Sequence, residues 1–136
     1  MEQGKIKILF MDDEDYIRDV AEQMLVFFGY EVTMACDGQE ALKLYADAFD
    51  KGEPHDLVIL DMSVPAGWGA KKTVDKIIAL DMKACVLVSS GYMADPVIEQ
   101  FKRYGFSGIL PKPYEIEEVD STIKEMIAIM GRRIER

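Results

Sequence analysis

Five short apolar segments alternate along this chain with segments of helical periodicity, and this alternation constrains the fold more than any other feature. The apolar segments lie at residues 5–11, 30–36, 56–61, 84–90 and 107–113, and the helical patterns at 16–29, 39–49, 70–81, 95–105 and 115–131. Continuous apolar runs are typical of strands buried on both faces of a parallel sheet, and right-handed helical crossovers join such strands. The sequence therefore predicts an α/β fold, a doubly wound five-stranded parallel sheet flanked by five helices.

The spacing of apolar residues also predicts which face of a helix points to the sheet. The residues expected to face inward are Ile17, Val20, Met24, Phe27 and Phe28 in the first helix, Ala41, Leu42, Tyr45 and Phe49 in the second, and Ile116, Val119, Ile123, Met126, Ile127 and Met130 in the last. Gly29 and Gly105 are expected to end the first and fourth helices, and Asp95 with Pro96 to open the fourth.

The length and the charge of the chain restrict its class and its partners. Its 136 residues suit a single domain, 1–136, with a core over about 5–130 and no internal linker. The basic tail 131–136 either complements the C-terminal end of the last helix or begins a linker. A formal net charge of −9 disfavours nucleic acid and anionic membranes as partners. With no apolar run of about 18 residues, we expect no membrane span and a cytoplasmic location.

Cysteine and histidine are too few for a zinc site. The chain has two cysteines, Cys36 and Cys85, and one histidine, His55, with no CxxC pair. Both cysteines have apolar neighbours in the sequence, so we expect both to be small buried hydrophobic residues of a reduced protein.

Polar residues stand at the ends of four of the five predicted strands. They are Asp12 and Asp13 after the first strand, Asp61 at the end of the third, Ser89 and Ser90 at the end of the fourth, and Lys112 after the fifth. The carboxyl ends of parallel strands meet at one edge of the sheet, which is where ligands bind in such folds. Taken singly, each residue has an ordinary explanation, because acidic residues cap helices and serines or lysines are common in turns.

Taken together, these residues indicate a site for phosphoryl transfer. Three carboxylates at neighbouring strand ends repel one another unless a cation lies between them. Mg²⁺ prefers oxygen ligands and usually binds one or two carboxylates together with phosphate, so we expect Mg²⁺ here, with Mn²⁺ able to substitute. A carboxylate nucleophile, a cation, a hydroxyl and an ammonium group are the parts that phosphoryl transfer needs.

Five motifs in order make the chain closely resemble the receiver domains of two-component response regulators. The motifs are ILFMDDED, DGQEAL, LVILDMSVPAGWG, VLVSSGY and LPKPY, and the resemblance extends over about residues 5–130. It implies a flavodoxin-like receiver fold with strand order 2-1-3-4-5. It also implies a cis peptide bond between Lys112 and Pro113.

The resemblance implies a role for each residue that matches a family position. Asp61 matches the aspartate that accepts a phosphoryl group from a phosphohistidine. Asp13 and Asp12 match the acidic pair that holds Mg²⁺, Asp13 directly and Asp12 largely through water. The backbone carbonyl of Ser63 matches a further Mg²⁺ ligand, and Lys112 matches the lysine that pairs with the phosphoryl oxygens.

A few positions leave a choice or depart from the family pattern. Ser90 fits the family's phosphoryl-binding hydroxyl residue by its spacing to Lys112, with Ser89 as the alternative. Tyr92 is bulky and is expected to slow the attack of water on the phosphoryl group. Ile109 stands where many receivers have a Tyr or Phe that moves inward on activation, so the route from the phosphoacceptor to the outer surface must differ from theirs.

The resemblance implies a phosphoacceptor that acts in a two-component phosphorelay. Its partners would be a sensor histidine kinase or a histidine phosphotransfer domain, and an unidentified downstream protein that binds the outer face of the last two helices and the strand between them. No enzyme activity is implied beyond self-phosphorylation and slow hydrolysis of the acyl phosphate. The segments SSGY, DPV and GFSGILPKP most resemble receivers attached to hybrid sensor histidine kinases, and a stand-alone receiver is the alternative.

Three other interpretations of the sequence compete with this one. A degenerate receiver that serves as a phosphorylation-independent docking module draws support from Ile109. A phosphatase of the haloacid dehalogenase type also uses a strand-end Asp and Mg²⁺, but it needs a second Asp at the position of Ser63. A flavodoxin-like cofactor binder needs a loop of hydroxyls and glycines after the first strand, where this chain has DDED.

Overall fold

A single parallel sheet with helices on both faces organises the molecule. The computed structural model describes residues 4–62, 68–92 and 94–130. The strands are β1 (Lys7–Met11), β2 (Glu31–Ala35), β3 (Leu57–Asp61), β4 (Val86–Ser90) and β5 (Gly108–Pro111), and the helices are α1 (Asp15–Phe27), α2 (Gly38–Asp50), α3 (Ala70–Leu80), α4 (Pro96–Glu99) and α5 (Ile116–Met130). All strands are parallel, in the order β2-β1-β3-β4-β5. The predicted fold class and strand order are confirmed.

The central strands are buried on both faces, as their apolar runs predicted. Every residue of β3 and β4 is buried. Alternate residues point to opposite faces of a strand, so Val58 and Leu60 join one core with α2 and α3. Leu57 and Ile59 join a second core with α1 and α5. These two cores fix the carboxyl ends of β1 and β3 side by side, and the candidate site lies at those ends.

Some predicted inward faces are wrong. On α1, Val20 is 42% exposed and Phe27 is 81% exposed, whereas Ala21 and Leu25 are fully buried. Helix α1 carries apolar residues on more than one side, and periodicity alone does not say which side meets the sheet. The inward positions of the second helix are confirmed, since Ala41 and Tyr45 are buried and Leu42 and Phe49 pack against the same core.

The predicted inward face of α5 is confirmed in the middle of the helix and wrong at both ends. Val119, Ile123 and Ile127 are buried, but Ile116 is 57% exposed and Met130 is 41% exposed. The helix has 15 residues and spans about 22 Å, whereas a five-residue strand spans only about 17 Å. Its first and last residues therefore extend past the sheet that it covers.

The fourth predicted helix is two short elements. Helix α4 ends at Glu99, Gln100 leaves helical geometry (φ −123°, ψ 36°), and a 3-10 turn follows at Phe101–Tyr104. The buried Ile98 and the partly buried Phe101 and Tyr104 are three residues apart, which suits a helix of three residues per turn. The limits are as predicted: the Asp95 side chain accepts from the Val97 amide, and Gly105 (φ 101°) ends the segment.

The two cysteines differ from the prediction that both are buried. Cys85 is buried at the start of β4, and burial raises the pKa of its thiol to about 11. Cys36 is exposed, because β2 ends one residue earlier and Cys36 belongs to the following turn. Within the described residues, no helix is both long and apolar enough to cross a lipid bilayer.

Candidate functional site

Three carboxylates meet at the carboxyl ends of β1 and β3, where the sequence predicted a cation site. One oxygen from each of Asp12, Asp13 and Asp61 lies within 4.8 Å of the others. Asp61 is the last residue of β3 and only 2% exposed, and Asp12 follows β1 and is fully buried. Asp13 is exposed to solvent. The cluster thus consists of two buried carboxylates and one that is exposed to solvent.

Lys112 supplies the countercharge inside this cluster. Its Nζ lies 2.9 Å from Oδ1 of Asp61 and 3.1 Å from Oδ2 of Asp12. Burial alone would lower the pKa of Lys112, but the hydrogen bond and the attraction from Asp61, with the hydrogen bond to Asp12, raise it well above its ordinary value. The ammonium therefore stays charged at neutral pH. Its backbone is held by an amide hydrogen bond to the Ser90 carbonyl (2.9 Å), and the Lys112–Pro113 bond is cis, as the resemblance implied.

The donor set fits a hard divalent cation. One ammonium does not balance three carboxylates, so the cluster keeps a net negative charge, and its ligand atoms are carboxylate oxygens of the kind that Mg²⁺ prefers. Both oxygens of Asp12 are engaged, Oδ2 with Lys112 and Oδ1 with the Glu14 amide at 3.0 Å. Asp13 is the carboxylate that faces solvent. This difference supports direct ligation by Asp13 and indirect ligation by Asp12.

The two serines of β4 have different surroundings. Ser89 pairs in register with Asp61, is fully buried, and its hydroxyl lies 2.7 Å from the Tyr114 hydroxyl. Ser90 is 6% exposed, and its hydroxyl accepts a hydrogen bond from the Tyr92 amide at 3.0 Å. The Ser90 hydroxyl also donates to the Tyr92 carbonyl at 3.3 Å, so Ser90 holds the loop after β4, and this donated bond could be exchanged for one to a ligand oxygen. The choice of Ser90 over Ser89 stays a prediction.

Tyr114 is a residue near the site that sequence reasoning missed. Its ring packs edge-on against Phe10 at 6.1 Å, and its hydroxyl meets Ser89. Burial raises the pKa of Tyr114 to about 12, although the bond to Ser89 and the nearby Lys112 act in the opposite direction. The only sequence signal was its place at the end of the LPKPY motif.

Two of the remaining predicted positions, Tyr92 and Ile109, belong to the part of the chain that the structure describes. Tyr92 is 66% exposed, and Ile109 is partly buried against the core on the α2 and α3 face. Ser63 lies outside the described residues, so the ligation by its backbone carbonyl stays a prediction. The tail 131–136 also lies outside them.

Comparison with known sequences agrees with this geometry. The family model described as the response regulator receiver domain matches residues 8–124. The "Probable transcriptional regulator ycf27" of Cyanophora paradoxa is 33% identical over 129 residues, which are 93% of this chain and 50% of that protein. The osmosensing histidine protein kinase SLN1 of Saccharomyces cerevisiae is 28% identical over 93% of this chain and 10% of its own length. The chain thus spans half or less of these two relatives.

Solved structures show the same fold. A CheY-like response regulator receiver domain protein from Methanospirillum hungatei JF-1 has a TM-score of 0.81 at 26% identity, over 94% of this chain and 97% of that one. The receiver domain of the hybrid histidine kinase CckA has a TM-score of 0.71 at 32% identity, over 89% of this chain and 98% of that one. The response regulator TrrA of Thermotoga maritima, solved with Mg²⁺ and BeF, has a TM-score of 0.74 at 28% identity. The match covers 88% of this chain and 97% of that one.

The chain therefore belongs to the response regulator receiver domains. Its acidic cluster and its lysine match phosphoacceptor function in two-component signalling. Within that family it is similar both to receivers of transcriptional regulators and to receivers of hybrid histidine kinases. This membership disfavours a haloacid dehalogenase-type phosphatase and a flavodoxin-like cofactor binder.

Proposed function

We propose that this domain accepts a phosphoryl group on Asp61 from the phosphohistidine of a sensor histidine kinase or a histidine phosphotransfer domain, and that the modification changes its affinity for a downstream protein. The observation that carries the proposal is the position of Asp61. Its carboxylate lies at a strand end, 2.9 Å from the Lys112 ammonium and within 4.8 Å of Asp12 and Asp13.

In the proposed reaction, an oxygen of Asp61 forms a bond to phosphorus as the bond from phosphorus to the imidazole nitrogen breaks. The leaving imidazole takes a proton from solvent. Asp13 and Asp12 are the residues that would hold Mg²⁺, and the ion would supply charge neutralisation for the phosphoryl oxygens. Lys112, already beside Asp61, provides a second positive charge, so the anionic nucleophile and the anionic donor can approach each other.

The loop after β4 is the part that would respond to the new charge. An aspartyl phosphate adds about −1.5 to −2 charge and acceptor oxygens. We infer that the Ser90 hydroxyl, which donates to the Tyr92 carbonyl at 3.3 Å, then donates to a phosphoryl oxygen instead, moving the loop that leads to α4. Helix α4 has only four residues and is followed by the irregular Gln100, so few helical hydrogen bonds oppose this change. Because Ile109 replaces an aromatic residue, the loop and α4 would carry most of the signal to the α4–β5–α5 face.

An exposed apolar stripe on α1 is the surface that we assign to the phosphohistidine partner. Tyr16, Val20 and Phe27 are 74%, 42% and 81% exposed and, at spacings of four and seven residues, lie on one side of the helix. Helix α1 begins two residues after Asp13, so its first turn borders the acidic cluster. A partner bound along this stripe would bring a histidine close to Asp61. We call these three residues the α1 stripe.

The architecture of the parent protein is also a proposal. The similarity to the receiver of the hybrid histidine kinase CckA and to the histidine kinase SLN1 supports a receiver attached to a hybrid sensor kinase. The similarity to transcriptional regulators supports a receiver attached to a regulator with an output domain. We favour the hybrid kinase, because the motifs around Ser90 and Lys112 resemble those receivers.

The test is phosphorylation by a small donor. The protein is incubated with acetyl phosphate with and without Mg²⁺, and its intact mass is recorded beside an Asp61→Asn variant. We expect a Mg²⁺-dependent gain of one phosphoryl group that is absent in the variant. If Mg²⁺ binds but no phosphoryl group is gained, the domain would instead be a docking module that works without phosphorylation.

A further inference from the structure

A groove with aromatic walls and a cationic rim lies away from the acidic cluster. It runs between the N-terminal half of α3 and the 3-10 turn and has a volume of ≈ 590 Å³. The side chains that line it are Trp68, Lys71, Lys72, Asp75, Arg103 and Tyr104. We call it the α3 groove. None of its lining residues belongs to the proposed phosphoacceptor machinery.

The charge of the α3 groove is opposite to that of the whole chain. The chain carries a formal net charge of −9, yet the groove has three cations and one carboxylate. Among the described residues, Lys71, Lys72 and Arg103 make no salt bridge with a carboxylate. Lys71 and Lys72 also stand in the first turn of α3, where positive charge opposes the helix dipole. An anionic partner would relieve both unfavourable arrangements.

The walls of the groove are suited to an apolar anchor. Trp68 and Tyr104 are each partly buried, with the Lys72 ammonium 4.6 Å from the Trp68 ring centre and the Lys71 ammonium 4.9 Å from the Tyr104 ring centre. Tryptophan, tyrosine and arginine are the residues most enriched at the energetic centres of protein interfaces. The lysine stems and the two rings therefore offer apolar area directly beside positive charge.

We propose that the α3 groove binds an acidic peptide segment of a partner protein, with an aromatic or aliphatic side chain against Trp68 and Tyr104. The peptide's carboxylates would pair with the ammonium groups of Lys71 and Lys72 and with the Arg103 guanidinium. A peptide fits better than a small ligand because the cations and Asp75 are exposed. Small-molecule sites instead bury most of their ligand. Binding needs no phosphoryl group, so this inference is independent of the proposed function.

The single tryptophan of the chain makes the proposal measurable, because Trp68 is itself a wall of the groove. The probe is a synthetic peptide of glutamates around one phenylalanine, titrated into the unphosphorylated protein while Trp68 fluorescence is followed. A peptide with lysine in place of each glutamate is the control ligand. We expect saturable binding of the acidic peptide and none of the basic peptide.

Matched charge reversals locate the binding. In a Lys71→Glu/Arg103→Glu variant we expect at least about tenfold weaker binding, since each reversal turns an attraction into a repulsion. Lys83→Glu changes a lysine that is also exposed but lies outside the groove, and it should leave the affinity unchanged. Circular dichroism checks that all variants are folded.

Three outcomes would overturn the proposal. One is the absence of any saturable change in Trp68 fluorescence with the acidic peptide. Another is an equal loss of affinity in Lys83→Glu, which would show a general charge effect. The third is saturable binding of ATP in place of the peptide, which would make the groove a site for small anions.

Discussion

Lys112 connects the two buried aspartates and is the residue whose removal should change the site most. In Lys112→Met the carboxylates of Asp12 and Asp61 lose their countercharge. Breaking a buried ion pair leaves an uncompensated charge, which destabilises the protein. Because Lys112 is partly exposed, water reduces this cost, and we expect the unfolding free energy of the metal-free protein to fall by about 1–3 kcal/mol. Denaturant titration without metal measures this loss.

The same variant separates the two roles of the lysine. Mg²⁺ should bind more tightly to Lys112→Met, because a competing positive charge has been removed, while the rate of phosphorylation by acetyl phosphate should fall at least about tenfold. Isothermal titration and intact mass report the two quantities. Lys83→Met, a change at an exposed lysine away from the site, is the control. An unchanged Mg²⁺ affinity would contradict the view that Lys112 and Mg²⁺ occupy the same acidic cluster.

Ser89 and Tyr114 form a buried hydroxyl pair whose energy can be measured. Tyr114→Phe keeps the ring against Phe10 but leaves the Ser89 hydroxyl without the partner seen at 2.7 Å. A buried polar group without a partner costs about 1–3 kcal/mol, so the single variant should be destabilised by that amount. Adding Ser89→Ala should recover part of the loss. Strict additivity of the two changes would show that the pair is not coupled.

At the scale of elements, His55 lies in the connection between α2 and β3 and packs on α2. It is 7% exposed, its ring stacks on Tyr45 of α2, and the Tyr45 hydroxyl donates to Asp81 at the end of α3 (2.7 Å). Within the described part of the chain, its Nδ1 has no hydrogen-bond partner. The imidazole is therefore held in a place that suits its neutral form.

This position gives stability a pH dependence with a definite sign. Burial lowers the pKa of His55, and Lys7 lowers it further, while Asp56 and Glu31 act in the opposite direction. Below about pH 6.5 the unfolded chain then binds more protons than the folded one. The free energy of unfolding therefore decreases as the pH is lowered, by up to about 1.4 kcal/mol per pH unit. Urea titrations at about pH 7.5 and about pH 5.5 measure the loss.

His55→Phe is the matched variant, because it keeps an aromatic ring against Tyr45 and removes the titrating group. It should be less sensitive to pH between those two values than the parent. If parent and variant lose equal stability on acidification, the loss comes from other groups and the account of His55 is wrong.

The elements also show what the sequence could predict. Strands β3 and β4 were predictable because burial on both faces leaves an unbroken apolar run. The segment 95–105 was not, since the spacing of Ile98, Phe101 and Tyr104 is compatible with an α-helix as well as a 3-10 turn. The exposed side of α1 was also mispredicted, because Val20 and Phe27 are apolar for a reason other than core packing.

For the whole molecule, the topology of the sheet explains why the acidic cluster could be anticipated. Asp12 and Asp13 follow β1 and Asp61 ends β3, and because these strands are neighbours the strand order alone places the three residues together. The Ser89–Tyr114 pair and the α3 groove could not be anticipated, because they depend on how side chains far apart in the sequence pack.

The α1 stripe allows docking to be tested separately from chemistry. Val20→Glu places a charge in the middle of the stripe, and Val20 is already 42% exposed, so stability should change little. We expect phosphotransfer from a phosphorylated histidine phosphotransfer domain to slow by about tenfold or more, since a charge is desolvated at the interface. Phosphorylation by acetyl phosphate, which needs no docking, should keep the rate of the parent. Equal slowing with both donors would place the effect in the acidic cluster.

The most direct test of the central claim locates the phosphoryl group on the chain. The protein is phosphorylated with acetyl phosphate and Mg²⁺ and then treated with borohydride, which reduces an aspartyl phosphate to homoserine. Peptide mass mapping then identifies the modified residue. Our account predicts homoserine at position 61 and aspartate at positions 12 and 13. Homoserine at either of those positions, or unmodified Asp61 in a protein that had gained a phosphoryl group, would contradict it.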